Sequence, residues 1–379
     1  MSKASWTSWS AGVALALSAN VAFADRVIED DIGSEYQNFR LLQLADGLEH
    51  PWSVAFLPDG RYLVTERAGR LNLLEDGQVS EISGVPEVVV MNQGGLLDVS
   101  LHPDYEDNGW LYLTYSSGDV ESTTVELARA RLEGHELVDL EVLFRQDRRS
   151  EPGRHYGSRL AWMADGSLLM SIGDRGAEPP RAQDTNDHAG TVIRLAADGS
   201  VPGDNPFIGR ADVLPEIYSY GHRNIQGLVV DPETDLVWAS EHGPRGGDEL
   251  NLIQAGNNYG WPDVGKGRDY RTEEIFGASR SLPELTDPVH EFLPTHAPSG
   301  LALVTSEHFP RWQGNLLVGG LRGERLRRVV LEDQVVVHEE ELLLQKIGRI
   351  RDVRQSPDGM LYVLTDSSDG GLYRLEPAD

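Results

Sequence analysis

The 379-residue sequence contains no cysteine. Disulfides, thiolate catalysis and cysteine-held zinc or iron–sulfur sites are therefore excluded, and stability has to come from burial, which a chain of this length can supply. Lysine is scarce: Lys3, Lys266 and Lys346 are the only ones, and arginine makes up the rest of 33 basic residues set against 61 acidic ones. The resulting net charge of −28 repels phosphate backbones and anionic membranes, which rules out nucleic acid as a partner. Beyond residue 24 there is no run of about 18 apolar residues, so no membrane insertion of the mature chain is expected. Long stretches of helical periodicity are missing too.

What is present begins with an export signal. Lys3 gives a positive start, "AGVALALSANVAFA" is apolar but too short to span a bilayer, and Ala22-Phe23-Ala24 has the small-x-small form of a cleavage site. Residues 1–24 read as a signal peptide cleaved near Ala24, and residues 25–379 as one mature domain, periplasmic or secreted. The alternative is a retained N-terminal anchor. Ser18 and Asn20 and the early end of the apolar stretch argue against it.

The mature chain repeats one pattern. "PWSVAFLPDGRYLVTER" from 51, "LLDVSLHPDYEDNGWLYLTYS" from 96 and "GSRLAWMADGSLLMSIGD" from 157 are each an apolar strand, a turn and a second strand ending in polar residues. "QGLVVDPETDLVWASEHG" from 226, "SGLALVTSEHFPRWQGNLLVGGL" from 299 and "IRDVRQSPDGMLYVLTD" from 350 continue the series. Pro-Asp-Gly suits such turns because Pro presets φ and Gly accepts a positive one. Six units give about 59 residues each, more than the roughly 40–45 of a minimal four-stranded blade. The surplus falls in loops such as 176–190, 203–214 and 261–290. The expected fold is all-β, a six-bladed β-propeller, with residues 36–45 closing the ring against the last blade, since closure removes sheet edges. Two β-sandwiches are the alternative, but no linker divides the repeats.

Polar residues cluster where a propeller's loops would converge. Gln93 and His155 each sit just before a strand, and Asp174 follows the hairpin that His155 precedes. Histidine is the best general base near neutral pH, and a carboxylate such as Asp174 would orient it. His222, Arg223, Asn224 and Gln226 offer a guanidinium fork and two amides to an oxygen-rich ligand, or a hydrogen-bond network between blades. Asp248 and Glu249, in a Gly-rich loop, could give oxygen ligands to calcium, although the spacing is not that of an EF-hand. His188, His222, His242 and His296 show no zinc-site spacing.

Taken together, "QGGLLDVSLHPD", "SIGD", "GHRNIQGL" and "EHGPRGGDELNLIQAGNNYGWP" resemble, in order and spacing, the soluble quinoprotein sugar dehydrogenases, that is, the aldose sugar dehydrogenases and soluble glucose dehydrogenase. The resemblance runs from about residue 40 to 370. It implies a six-bladed propeller holding pyrroloquinoline quinone (PQQ) and calcium, with an aldose as substrate and an electron acceptor that the sequence does not identify. His155 resembles the base that takes the sugar hydroxyl proton, Asp174 its orienting carboxylate and Gln93 the amide beside it. Arg223, Asn224 and Gln226 match quinone-holding residues. Gly243 and Pro244 match carbonyl ligands of the cofactor's calcium, while Glu249 and Tyr259 match a second calcium site.

The chemistry is coherent without the family. Hydride leaves an alcohol carbon as its hydroxyl loses a proton, so a base must stand beside a two-electron sink, and no side chain is such a sink. The quinone's carboxylates need cations, for which Arg322 and then Arg325 in "GLRGERLRR" are expected alongside Arg223. Two departures stand out. "TSEHFPRW" lacks the family's quinone-binding lysine, and Leu293 replaces a sugar-packing tryptophan, which favours broad aldose specificity. A non-catalytic carbohydrate-binding or sensor propeller and a calcium-dependent lactonase are the competing readings; the latter would need several channel carboxylates.

Overall fold

The structure, a computed structural model, describes residues 25–378 apart from Pro152 and Ala278. The expected signal peptide lies outside the described residues. Among those residues no helix is long and apolar enough to cross a membrane.

Six antiparallel sheets follow one another along the chain, in agreement with the expected six-bladed β-propeller. The innermost strands are Pro51–Phe56, Leu96–Leu101, Leu160–Trp162, Ile225–Val230, Pro298–Leu303 and Ile350–Gln355, opening blades 1 to 6 in turn. Each contacts the next around the ring, and the last contacts the first. The repeated turns are chemically equivalent. Leu57 N–H bonds to Arg61 O, Met163 N–H to Ser167 O and Ser356 N–H to Met360 O, with Gly60, Gly166 and Gly359 at φ of 89°, 80° and 87°.

Closure follows expectation and extends it. Strand Phe39–Leu48 pairs antiparallel with Gly370–Pro377, Leu41 lying opposite Leu375. The blade made from both chain ends then takes a fifth strand, Arg26–Ile32, on its outer edge. Alternation explains the packing: both faces of every sheet are apolar, and a buried cluster fills each seam between neighbouring blades, including the seam of blade 6 with blade 1.

The channel is crossed by charge. Arg159, at the entry to blade 3, reaches Asp352 of blade 6 at 2.9 Å. Blades 3 and 6 are opposite in a six-membered ring, so this pair spans the axis. Arg354 bonds Asp98 at 2.7 Å and Asp352 at 3.0 Å. The Asp98 carboxylate also accepts Ser53 Oγ–H at 2.6 Å and Leu160 N–H at 2.8 Å. Buried ion pairs are tolerable only when so fully hydrogen-bonded. This plug forms the floor of the site described next.

Candidate active site

Two loops build its centre. Residues 153–158 run into the innermost strand of blade 3, and residues 173–176 leave that blade's second strand, Leu168–Ile172. Glycine lets them interlock: a Cβ on Gly173 would lie 2.2 Å from the His155 carbonyl oxygen. His155 itself adopts a left-handed φ of 55°, uncommon for a side chain of this size. Its N–H donates to Gln93 Oε1 at 2.8 Å, and its Nδ1 meets Asp174 Oδ1 at 2.6 Å. Asp174 also accepts Gly176 N–H and Trp261 Nε1–H, each at 2.7 Å. An ionised carboxylate only accepts hydrogen bonds, so Nδ1 carries the imidazole proton and Nε2 is left as the free acceptor.

Electrostatics favour that state. Burial, then the charge of Arg223, hold the His155 imidazole below its ordinary value of 6.5, against the pull of Asp174. Burial would raise the Asp174 carboxyl, but the attraction of His155, its hydrogen bond and Arg223 outweigh it and bring the carboxyl below its usual range. The pair at neutral pH is therefore a neutral imidazole on a carboxylate.

The segment 222–226 packs alongside. Arg223 donates from Nη1 to His242 O at 2.9 Å and lies 5.4 Å from the centroid of the Trp261 ring. The backbone N–H groups of Arg223 and Asn224 both donate to buried Glu241. Asn224 Oδ1 accepts Gly157 N–H, and Gln226 Nε2 donates to Gly157 O, both at 3.1 Å. These amides grip the loop that carries His155.

A cavity of about 240 Å³ opens above the plug, with Gln93, Tyr156, Gly157, Asn224, Gln226 and His242 in its wall. Arg67, Arg349 and Arg351 line it too, with Asp366 as the lone carboxylate. Burial opposes ionisation of Asp366, but Arg351, Arg349 and His50 hold it well below the carboxylate range. Arg349 lies 2.7 Å from it and Arg351 3.2 Å. The Arg67 guanidinium enters no ion pair among the described residues. His242 Nε2 is buried without a partner.

The expected cofactor arginines of blade 5 are not among the side chains lining this cavity. Arg322 is exposed on a turn of blade 5 and Arg325 is ion-paired with Glu341 on the neighbouring strand; neither lines the cavity. Arg349 and Arg351, absent from the sequence reading, stand there instead. A signal existed: two arginines two residues apart at the entry to an innermost strand can share a face, and strand entries border the rim.

Gly243, Pro244, Glu249 and Tyr259 converge on a second pocket, shared with Glu241 and Lys266. Glu249 lies opposite Glu241 in the sheet register. Burial, then the charge of Glu241, push its carboxyl up to about 8. The Tyr259 hydroxyl is spent, donating to Leu252 O at 2.6 Å and accepting Gln254 N–H at 2.9 Å, so only its carbonyl is available to a ligand. Asp248 is spent too, accepting N–H from Gly243, His296 and Ala297. Among the described residues no cluster of three or more His, Asp or Glu side chains is arranged for a metal. A cation here would draw on main-chain carbonyls. The four histidines do not converge: His188 pairs with Glu216 and His222 with Glu241.

A propeller whose rim presents a carboxylate-locked imidazole beside a cationic cavity is the setting in which the comparisons with known proteins fall. The sequence profile of the glucose/sorbosone dehydrogenase family matches residues 48–374. The chain belongs to this family of sugar dehydrogenases. It is 39% identical to the aldose sugar dehydrogenase of Escherichia coli over 341 residues, covering 88% of this chain and 92% of that one. The crystal structure of the soluble E. coli enzyme in its apo-form superposes with a TM-score of 0.86, covering 89% of this chain and 99% of that one. Quinoprotein glucose dehydrogenase B of Acinetobacter calcoaceticus is 28% identical, covering 88% of this chain and 86% of its own length. The PQQ-bound aldose sugar dehydrogenase of Streptomyces coelicolor is 28% identical with a TM-score of 0.75, covering 94% and 99%.

Proposed function

We propose that the protein is a PQQ-dependent aldose dehydrogenase that oxidises sugars at C1 to lactones. The observation that carries this reading is the neutral His155, proton fixed on Nδ1 by Asp174, beside a cavity walled by guanidinia. The donor set fits the quinone: Arg349 and Arg351 share the single carboxylate of Asp366, Arg67 enters no ion pair among the described residues, and His242 Nε2 is unpartnered. Arg349, Arg351 and Arg67 would hold the quinone's carboxylates, with Arg223, Asn224 and Gln226 around its ring. The carbonyls of Gly243 and Pro244 suit a calcium ion beside the cavity. The raised carboxyl of Glu249 next to Glu241, with the Tyr259 carbonyl, suits a second one, because a divalent cation would relieve the repulsion. When bound, the quinone supplies the two-electron sink for the hydride leaving C1, and calcium makes it more electrophilic.

The chain's own residues do the rest. Nε2 of His155 accepts the proton of the sugar's C1 hydroxyl. Asp174 stabilises the imidazolium so formed and holds the ring, itself oriented by Trp261 and Gly176. Gln93 fixes the strained backbone from which the imidazole projects. The floor of paired charge keeps water from entering along the axis. Export behind a signal peptide cleaved near Ala24, and transfer of the electrons to an external acceptor, complete the proposal.

The test is reconstitution. Apo-protein is mixed with PQQ, calcium or both, and dye reduction is followed with several aldoses. Turnover that needs the quinone and falls at least 100-fold in His155→Ala supports the reading. Absence of PQQ binding overturns it, whereas binding without turnover of any aldose would favour the sensor.

A further inference from the structure

The side chain of Arg175 is 1% exposed, among the largest fully buried in the protein. It has no carboxylate within ion-pair distance among the described residues, and its Nε has no hydrogen-bond partner. Nη2 donates to Thr123 Oγ1 at 2.9 Å. Nη1 points at two consecutive carbonyl oxygens, those of Arg154 at 3.4 Å and His155 at 3.5 Å. These are long contacts, charge–dipole anchors more than strong hydrogen bonds. The guanidinium carbon lies 3.7 Å from the centroid of the Tyr156 ring, and Tyr156 lines the cavity. One planar cation thus touches residues 154, 155 and 156 in succession.

The segment it touches is under conformational load. His155 and Ser158 have φ of 55° and 76°, and Arg175 itself has 64°. A Cβ on Gly176 would lie 2.6 Å from Arg154 Cγ, so the second loop can bring Arg175 beneath the first only with glycine there. Burying a cation without a counter-ion is costly, and an apolar side chain of similar volume would be the more stable filling. The stacking on Tyr156, the bond to Thr123 Oγ1 and the contacts to two loop carbonyls offset that cost, and all but the Thr123 bond fall on the segment that carries His155.

We propose that Arg175 is a positioning residue for His155: its buried guanidinium pins the segment 154–156 around the left-handed His155, so that the imidazole stays on Asp174 with Nε2 free and the Tyr156 ring stays at the cavity wall. This rests on the reading of His155 as the base. The mechanism in the previous subsection does not use Arg175, which touches neither substrate nor cofactor there.

The test uses full-length mature protein and Arg175→Met. The apo-protein is first examined by proton NMR for the far-downfield Nδ1 resonance expected of a short histidine–carboxylate bond, identified by its loss in His155→Gln. The expected result is that Arg175→Met loses or broadens this resonance, melts no lower than the parent, and binds PQQ with unchanged affinity. In the reconstituted enzyme kcat falls about 100-fold, as for a roughly 1 Å misplacement of a reacting group, with KM within about threefold. Arg175→Lys, which keeps the charge without the fork, gives no rescue. Should Arg175→Met fail to fold, Thr123→Val removes only the Nη2 anchor and is expected to move the same resonance and kcat in the same direction. Retention of the resonance in the folded variant overturns the proposal, as does its absence from the parent, which would remove the locked imidazole. Because the resonance is read without cofactor, an inactive parent that shows it would sink the dehydrogenase reading and leave the Arg175 result decisive.

Discussion

Replacing Asp174 by Asn changes one oxygen to an amide nitrogen and leaves the shape intact, and the structure dictates the consequence. Oδ1 accepts from His155 Nδ1 and Gly176 N–H, and Oδ2 from Trp261 Nε1–H. All three partners are donors, so the NH2 of Asn must face one of them. Facing Trp261, it leaves two buried donors opposed, at a cost of about 1–3 kcal/mol in stability. Facing His155, it forces the proton to Nε2 and abolishes the base. In the first arrangement the tautomer survives but the imidazolium loses its counter-charge. Since Asp174 raises the His155 pKa, its neutralisation moves the acid limb of kcat/KM to lower pH while lowering the rate. General-base catalysis is worth about 10²–10⁴-fold, so kcat is expected to fall by that order. The assay is dye reduction by PQQ-reconstituted protein between pH 4 and 9, with quinone binding measured separately. A variant that binds quinone and keeps kcat within about threefold would refute the reasoning, because no arrangement of the amide leaves the three donors satisfied.

Three further outcomes follow from the same geometry. Arg223→Gln removes the charge that, after burial, most depresses His155, so the acid limb of kcat/KM shifts to higher pH, opposite in direction to Asp174→Asn; a shift downward would contradict the assignment. Arg351→Met, measured by fluorescence titration with PQQ, weakens binding by about 10–100-fold, the worth of about 1.5–3 kcal/mol for a charge-assisted bond, whereas Arg322→Ala changes it less than twofold. Calcium raises the melting temperature of the apo-protein and Glu249→Gln removes most of that gain, since one of the two facing carboxylates is lost; an unchanged calcium effect in that variant would exclude Glu249 as a ligand.

The parts legible in the sequence were those written in local chemistry. Turns such as Pro58-Asp59-Gly60 announce themselves through φ, and strand–turn–strand copies add up to blades. His155 and Asp174 flank one hairpin, so their meeting follows from strand geometry. What could not be read depends on contacts between blades. Trp261, far along the chain, supplies the third donor to Asp174. Arg159 looks like an ordinary strand-edge cation until the ring sets Asp352 opposite it. Arg322 stands in an arginine-rich turn, and that turn is exposed. Arg349 and Arg351 stand at the entry to an innermost strand, and only the closed ring shows that they border the cavity. The outer strand Arg26–Ile32 carries no apolar alternation: six of its seven residues are not buried, and its pairing owes everything to the neighbour it covers.

Charge placement gives these pieces a common logic. The protein as a whole carries −28, and the floor of the channel cancels itself, with Arg159 and Arg354 against Asp98 and Asp352. Above that floor positive charge exceeds negative in the cavity lining, Arg67, Arg349 and Arg351 being set against Asp366. A low-dielectric wall focuses such a surplus, which favours an anion in the cavity. Arg223, after burial, holds the His155 imidazole below its ordinary basicity. An anion paired with Arg223 would offset that field and raise the imidazole toward its ordinary strength. On the proposed reading, an anionic cofactor held by Arg223 would therefore strengthen the base that works beside it.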